Sequence, residues 1–174
     1  METARGEIQE ILSKIREALE AATDQLVEMR EAEGKTLTND LLRRTSFIEK
    51  EVTKVAKRAP VVLKQYRMRL LDRIKELTGS EKVDRDRLEQ EVVFFAENSD
   101  IAEEVTRIHS HLDSFQKALS MKEDVGRKLD FIAQELQREI NTIGQKSHDF
   151  EISQSVIQVK GEIERIREQI QNIA

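Results

Sequence analysis

Three groups of side chains in this sequence have the types and spacing to do chemistry. The first lies in Val125–Lys146, "VGRKLDFIAQELQREINTIGQK". Glu135 and Glu139 are four residues apart, so on a helix their carboxylates face each other and repel, at a cost of about 0.2–0.5 kcal/mol. A divalent cation between them reverses that sign. Oxygen donors of this kind suit Mg²⁺ or Mn²⁺ better than zinc. Arg127, Lys128 or Arg138 could then clamp a phosphate. A plain structural explanation stands beside this one, because Glu135 can pair with Arg138 as on any solvated helix. Arg127, Asp130, Gln134 and Asn141 share one flank of the apolar stripe; Glu135, Glu139, Thr142 and Lys146 share the other.

The second group is "DIAEEVTRIHSHLDSF", in which His111 shares a face with Glu104 and Arg107. An imidazole beside carboxylates can bind a metal or move a proton. His109 points nearer the apolar seam, and either histidine could instead be a structural one. The third is a basic stretch, Lys54–Lys75, with eight cations and one acid, Asp72. Lys57, Lys64, Arg67 and Arg73 could follow a phosphate backbone. Tyr66 is the single aromatic there, so stacking of bases is expected to be sparse. Acidic neighbours such as Glu49, Glu51 and Glu76 could equally make this a solvated face. Glu28, Arg30 and Glu33 form a secondary candidate group. They crowd an expected helix end before Gly34, where carboxylates oppose the macrodipole.

The elements that must position these groups are all helical. Ile8, Leu12, Ile15, Leu19, Ala22, Leu26 and Met29 recur at 4,3 spacing, a heptad stripe. Gly34 is expected to close that helix in a left-handed cap. A second helix starts near Thr36 or Thr38, with Leu41, Thr45, Ile48, Val52, Val55, Ala59, Val62, Tyr66, Leu70, Ile74 and Leu77 on one face. The stripe keeps its phase through Pro60, which predicts one helix kinked at the proline despite a cost of about 3 kcal/mol. The second helix alone would extend about 60 Å if straight. "TGSEKVD" marks a loop. A short helix carries Leu88, Val92 and Phe95, and Asp100 with Glu103 resembles a capping box for the next. That helix carries Ile101, Val105, Ile108, Leu112, Phe115 and Leu119. After Gly126 come Leu129, Ile132, Leu136, Ile140 and Ile143. Ile152, Val156, Val159, Ile163, Ile166, Ile170 and Ile173 mark the last helix. The expected fold is all-α: long antiparallel helices with heptad stripes, forming an elongated bundle or coiled coil, read as a single domain over residues 1–174. Ile-rich seams also leave room for other copies of the chain.

Composition agrees. Of 174 residues, 36% are charged, 38% hydrophobic and 4% aromatic, with one Pro and no Trp, a profile suited to long helices with meeting stripes. The absence of Cys excludes disulfides, thiolate zinc sites and a cysteine nucleophile. A net charge of −5 argues against bulk attraction to nucleic acid, although local patches can override it. No apolar run reaches the roughly 18 residues of a membrane span, and "METARGEIQE" lacks the apolar core of a signal peptide, so a cytoplasmic protein is expected. The sequence has no phosphate-cradling glycine loop and no Ser/His/Asp signature, which argues against ATP-driven chemistry and acyl transfer.

The segments together resemble the C-terminal half of the YicC family of bacterial proteins. The strongest likeness is "GRKLDFIAQELQREINTIGQK"; "EMREAEG", "DIAEE", the Ser110–His111 pair and the closing "IREQIQNI" also match, in order, over nearly the whole chain. The resemblance implies a metal-dependent endoribonuclease acting on RNA with Mg²⁺ or Mn²⁺, assembled as a homo-hexamer. It implies Glu135 and Glu139 as metal ligands and catalytic groups, with Asp130 as a further ligand and His111 as a further catalytic group. It implies Arg127, Arg138 and Lys146 as phosphate contacts; Lys128, and Lys57, Lys64 and Arg67 of the basic stretch, are further phosphate candidates on charge alone. The family also has an N-terminal domain of similar length. This chain then corresponds to the helical half alone, and the isolated half could be inactive. The competing expectations are a structural oligomerisation module and an RNA-binding module without catalysis.

Overall fold

A computed structural model describes residues 2–79, 84–121 and 125–171, with side chains from residue 10 onward. Its helices are α1 (Glu2–Thr78), α2 (Arg85–Asn98), α3 (Ala102–Leu119), α4 (Val125–Lys146) and α5 (Phe150–Gln171). Among the described residues there is no strand, so the fold is all-α. The chain divides into two compact units, Met1–Asp40 and Leu41–Ala174.

The first unit corrects one expectation. Gly34 does not end a helix: α1 runs through it, and among the described glycines only Gly79 adopts a positive φ, +60°. The stripe and good helix formers on both sides outweigh the roughly 1 kcal/mol that glycine costs. Thr36 and Thr38 do not cap either. Their hydroxyls donate back to the Ala32 and Gly34 carbonyls, at 3.0 and 2.8 Å. Glu28, Arg30 and Glu33 therefore sit within a helix, and the macrodipole argument for them lapses. Leu12, Ile15, Leu19, Leu26 and Met29 are all exposed in this unit. Ile8, like Ile173 at the far end, lies outside the residues whose side chains are described.

In the second unit the stripes form the core. Leu41, Thr45, Ile48, Val52, Val55 and Val62 of α1 are buried, whereas Leu77 at its end is exposed. The helix continues through Pro60, as its phase predicts. Gly79 closes it, its N–H donating to the Lys75 carbonyl at 3.0 Å, the left-handed cap that glycine adopts without strain. Asp84 caps α2, accepting from the Arg87 N–H at 3.3 Å. The expected capping box does not form: Ile101 is the N-cap of α3 and has no side-chain cap, Asp100 accepts from the Ala102 N–H at 2.9 Å, and Glu103 pairs with Arg107 instead of reaching back.

The third, fourth and fifth helices pack in sequence, α3 on α4 and α4 on α5. Leu129, Ile132, Ala133, Leu136, Ile140 and Ile143 line the buried side of α4; Ile152, Val156, Val159, Ile163, Ile166 and Ile170 line that of α5. The approach is close at Gly144, where a Cβ would meet Val156 Cγ1 at 3.1 Å. Three ties join α5 to α1 in antiparallel order. Arg44 donates to Glu162 at 2.7 Å, Ser155 to buried Glu51 at 2.9 Å, and Arg58 to Asp149 at 2.9 Å.

Candidate functional site

The α3–α4 seam carries polar side chains along one edge of its apolar core. On α3, Glu104, Arg107 and His111 follow at i, i+3 and i+7, which keeps them on one face. On α4, Glu135, Glu139 and Lys146 follow in the opposite sense, because the helices are antiparallel. At one end Lys146 Nζ donates to Glu104 Oε1 at 2.7 Å and to the Asp100 carbonyl at 2.9 Å. In the middle Arg107 Nη1 reaches Glu139 Oε1 at 3.5 Å and its other terminal nitrogen holds Glu103. Beyond it, donor atoms of His111, Glu135 and Glu139 all lie within 4.8 Å of one another.

Burial sets the character of this group. Glu139 is only 4% exposed, and His111 and Glu135 are half-buried. A buried carboxylate demands a compensating charge, and Arg107 at 3.5 Å supplies a long, partial one. Two carboxylates and an imidazole form a donor set suited to a divalent cation, and the imidazole tilts the preference toward Mn²⁺ over Mg²⁺. Glu104 is likewise 4% exposed, and its buried Oε2 has no hydrogen-bond partner among the described residues.

The other sequence candidates fall elsewhere. Asp130 lies five residues before Glu135, about 140° around the helix. It accepts from Gln134 at 2.7 Å and from Arg167 of α5 at 3.5 Å, so it is not brought to the His111 group. Lys146 is engaged with Glu104. Arg127, Lys128 and Arg138 are exposed; Lys128 Nζ lies 3.4 Å from Met121 Sδ, and no Glu135–Arg138 pair forms. Lys57 and Lys64 are exposed on α1, and Arg67 pairs with Glu89. Glu28, Arg30 and Glu33 are exposed in the first unit.

Sequence reasoning missed the joint between α1 and α5. The Arg58 guanidinium grips Asp149 through Nε at 3.2 Å and Nη2 at 2.9 Å, and reaches Glu151 at 3.4 Å. Asp149 also caps α5, accepting from the Ile152 N–H at 3.1 Å. The Arg58 hydrogen bonds hold the Asp149 carboxyl below the usual carboxylate range, and Asp149 in turn raises Arg58. An Asp before an apolar stripe is a cap signal, but its arginine partner is invisible to local patterns.

Fold and seam together define an all-α protein whose candidate site is a half-buried carboxylate–imidazole group between two antiparallel helices. Residues 55–174 match the family model for the endoribonuclease YicC-like C-terminal domain. The chain is 41% identical over 162 residues to the probable endoribonuclease YicC of Clostridioides difficile, covering 92% of this chain and 55% of that protein. It is 40% identical over 147 residues to the probable endoribonuclease YicC of Haemophilus influenzae, covering 84% and 50%. This chain therefore belongs to the YicC family, and it spans about half the length of these curated relatives. Among the described residues no helix is long and apolar enough to cross a membrane.

Proposed function

We propose that this chain is the helical half of a divalent-metal-dependent endoribonuclease, with its metal centre at His111, Glu135 and Glu139. The convergence of these three side chains from two helices carries the reading. Family membership supports RNA as the substrate, since both relatives bear the name of probable endoribonucleases. Mg²⁺ or Mn²⁺ held there would supply Lewis acidity for phosphodiester cleavage. Glu135 and Glu139 bind and orient the cation, Arg107 fixes the Glu139 carboxylate, and His111 is placed to ligate or to hold a proton. Arg127, Lys128 and Arg138, exposed on the same helix, serve as phosphate contacts.

The test is RNA cleavage with Mn²⁺ or Mg²⁺ against EDTA, beside the Glu135→Ala/Glu139→Ala variant, with Mn²⁺ binding followed by electron paramagnetic resonance. Loss of both cleavage and Mn²⁺ binding at unchanged helicity is expected. Cleavage or binding that survives the double substitution overturns the assignment.

A second observation favours assembly as a parallel role. The heptad stripe of the first unit is exposed within the single chain, and a homo-oligomer, six-fold as the family resemblance implies, would cover it.

A further inference from the structure

The second unit holds another constellation, distinct from the α3–α4 seam. Tyr66 of α1 stacks face to face on Phe95 of α2, with ring centroids 3.8 Å apart and planes 6° from parallel. The His148 ring, between α4 and α5, lies 6.4 Å from Phe95 at 39°. Arg69, Leu70 and Arg73 complete a notch of about 690 Å³ with these rings, a volume within the usual range of ligand sites. Positions 66, 69, 70 and 73 share one helix face by their spacing.

Packing of the α1 and α2 stripes brings Tyr66 and Phe95 together but leaves the notch beside them open to solvent. Tyr66 and Phe95 are only partly buried, and His148, Arg69 and Arg73 are exposed. Neighbouring Arg67 is taken by Glu89. Arg73 has an exposed, weak contact with Glu76 at 3.3 Å, and Arg69 forms no ion pair among the described residues. Flat rings beside exposed guanidinium groups match the alternation of base and phosphate along a single nucleic-acid strand, where stacking and a positive groove act together. A duplex hides its base faces in its own stack and cannot use the rings.

We propose that this notch is a single-stranded RNA subsite, in which a base stacks against the Tyr66–Phe95–His148 rings while Arg69 and Arg73 hold adjoining phosphates. It rests on the reading of RNA as substrate and extends it from cleavage to strand placement.

Tyr66 is the single tyrosine of a chain without tryptophan. Replacing it with 3-fluorotyrosine gives one ¹⁹F resonance that reports on the notch alone. The chain is titrated in EDTA with a fluorescein-labelled single-stranded RNA of mixed sequence. Anisotropy follows binding and the ¹⁹F shift follows the notch. The two are expected to saturate together, and the matching duplex to leave the resonance in place. Tyr66→Leu is expected to weaken binding roughly tenfold. Arg69→Ala/Arg73→Ala, both surface changes, should flatten the salt dependence by a slope of roughly 0.7 per lost contact. RNA that binds by anisotropy with the resonance unmoved overturns the subsite and spares the RNA reading. Absence of binding at low salt also overturns it, and the metal-dependent cleavage assay then judges the nuclease reading separately.

Discussion

Asp149 serves two purposes at one joint, and its titration separates them. Its carboxyl is held below the usual range chiefly by the Arg58 hydrogen bonds. The unfolded chain, with a carboxyl near pKa 4, therefore binds that proton more readily than the folded one. The stabilisation is complete above about pH 4 and is lost as pH falls through the folded value. Urea unfolding of Asp149→Ala should show a deficit of about 1 kcal/mol or more at pH 7, from the lost cap alone. The deficit should shrink toward pH 3; one that stayed constant would contradict the titration argument. Lys146 gives a second residue-scale prediction. Its partner Glu104 is almost fully buried, with one oxygen unpaired among the described residues. Lys146→Ala is expected to cost about 1–3 kcal/mol, read by urea unfolding. A free phosphate contact would leave stability untouched. At this scale the i,i+4 spacing singled out Glu135 and Glu139, which lie beside His111. Periodicity already put Asp130 on the other flank, and only the family resemblance joined it to them; its side chain faces Gln134 and Arg167. His111 joins them only because α3 and α4 are antiparallel and in this register, which no local window contains.

Helices were the most legible level, because repeated 4,3 spacing commits a face to burial over many turns. Leu129 through Ile143 and Ile152 through Ile170 occupy the buried faces their periodicity implies. Glycine was less legible, because the same residue can end a helix, admit a neighbour or do neither. Gly79 ends α1 with a positive φ, Gly144 admits Val156, and Gly34 has nothing within 4 Å of where a Cβ would stand. Gly34→Ala should raise helicity by circular dichroism and add up to about 1 kcal/mol of helix stability. Gly144→Val should destabilise by about 1–3 kcal/mol, since α4 and α5 have no space for the added methyl groups. Equal effects at the two sites would argue against the close α4–α5 approach. The Tyr66 notch was hidden for a related reason. Its rings come from three separate parts of the chain, so Tyr66 looked solitary.

On the scale of the whole molecule, the second unit contains its own core. Residues 41–174 alone are expected to unfold cooperatively, with the melting temperature of that core retained. Light scattering should show a smaller assembly for this shortened chain than for all 174 residues, if the exposed stripe from Leu12 to Met29 is where copies meet. An unchanged mass would move the assembly surface elsewhere. The ties between α1 and α5 have a consequence for how the chain is made. They join residues 91, 104 and 118 positions apart. During synthesis α1 leaves the ribosome before the other four helices, and the helix it is fastened to is the last of the five to emerge. The α3–α4 and α4–α5 hairpins can close locally, whereas the α1–α5 contacts wait until α5 has been made. In the interval the apolar stripe of α1 lacks its final partner, a state prone to aggregation. Nascent chains halted before residue 150 should therefore hold α1 in a protease-sensitive form, and release of α5 should be the event that protects it.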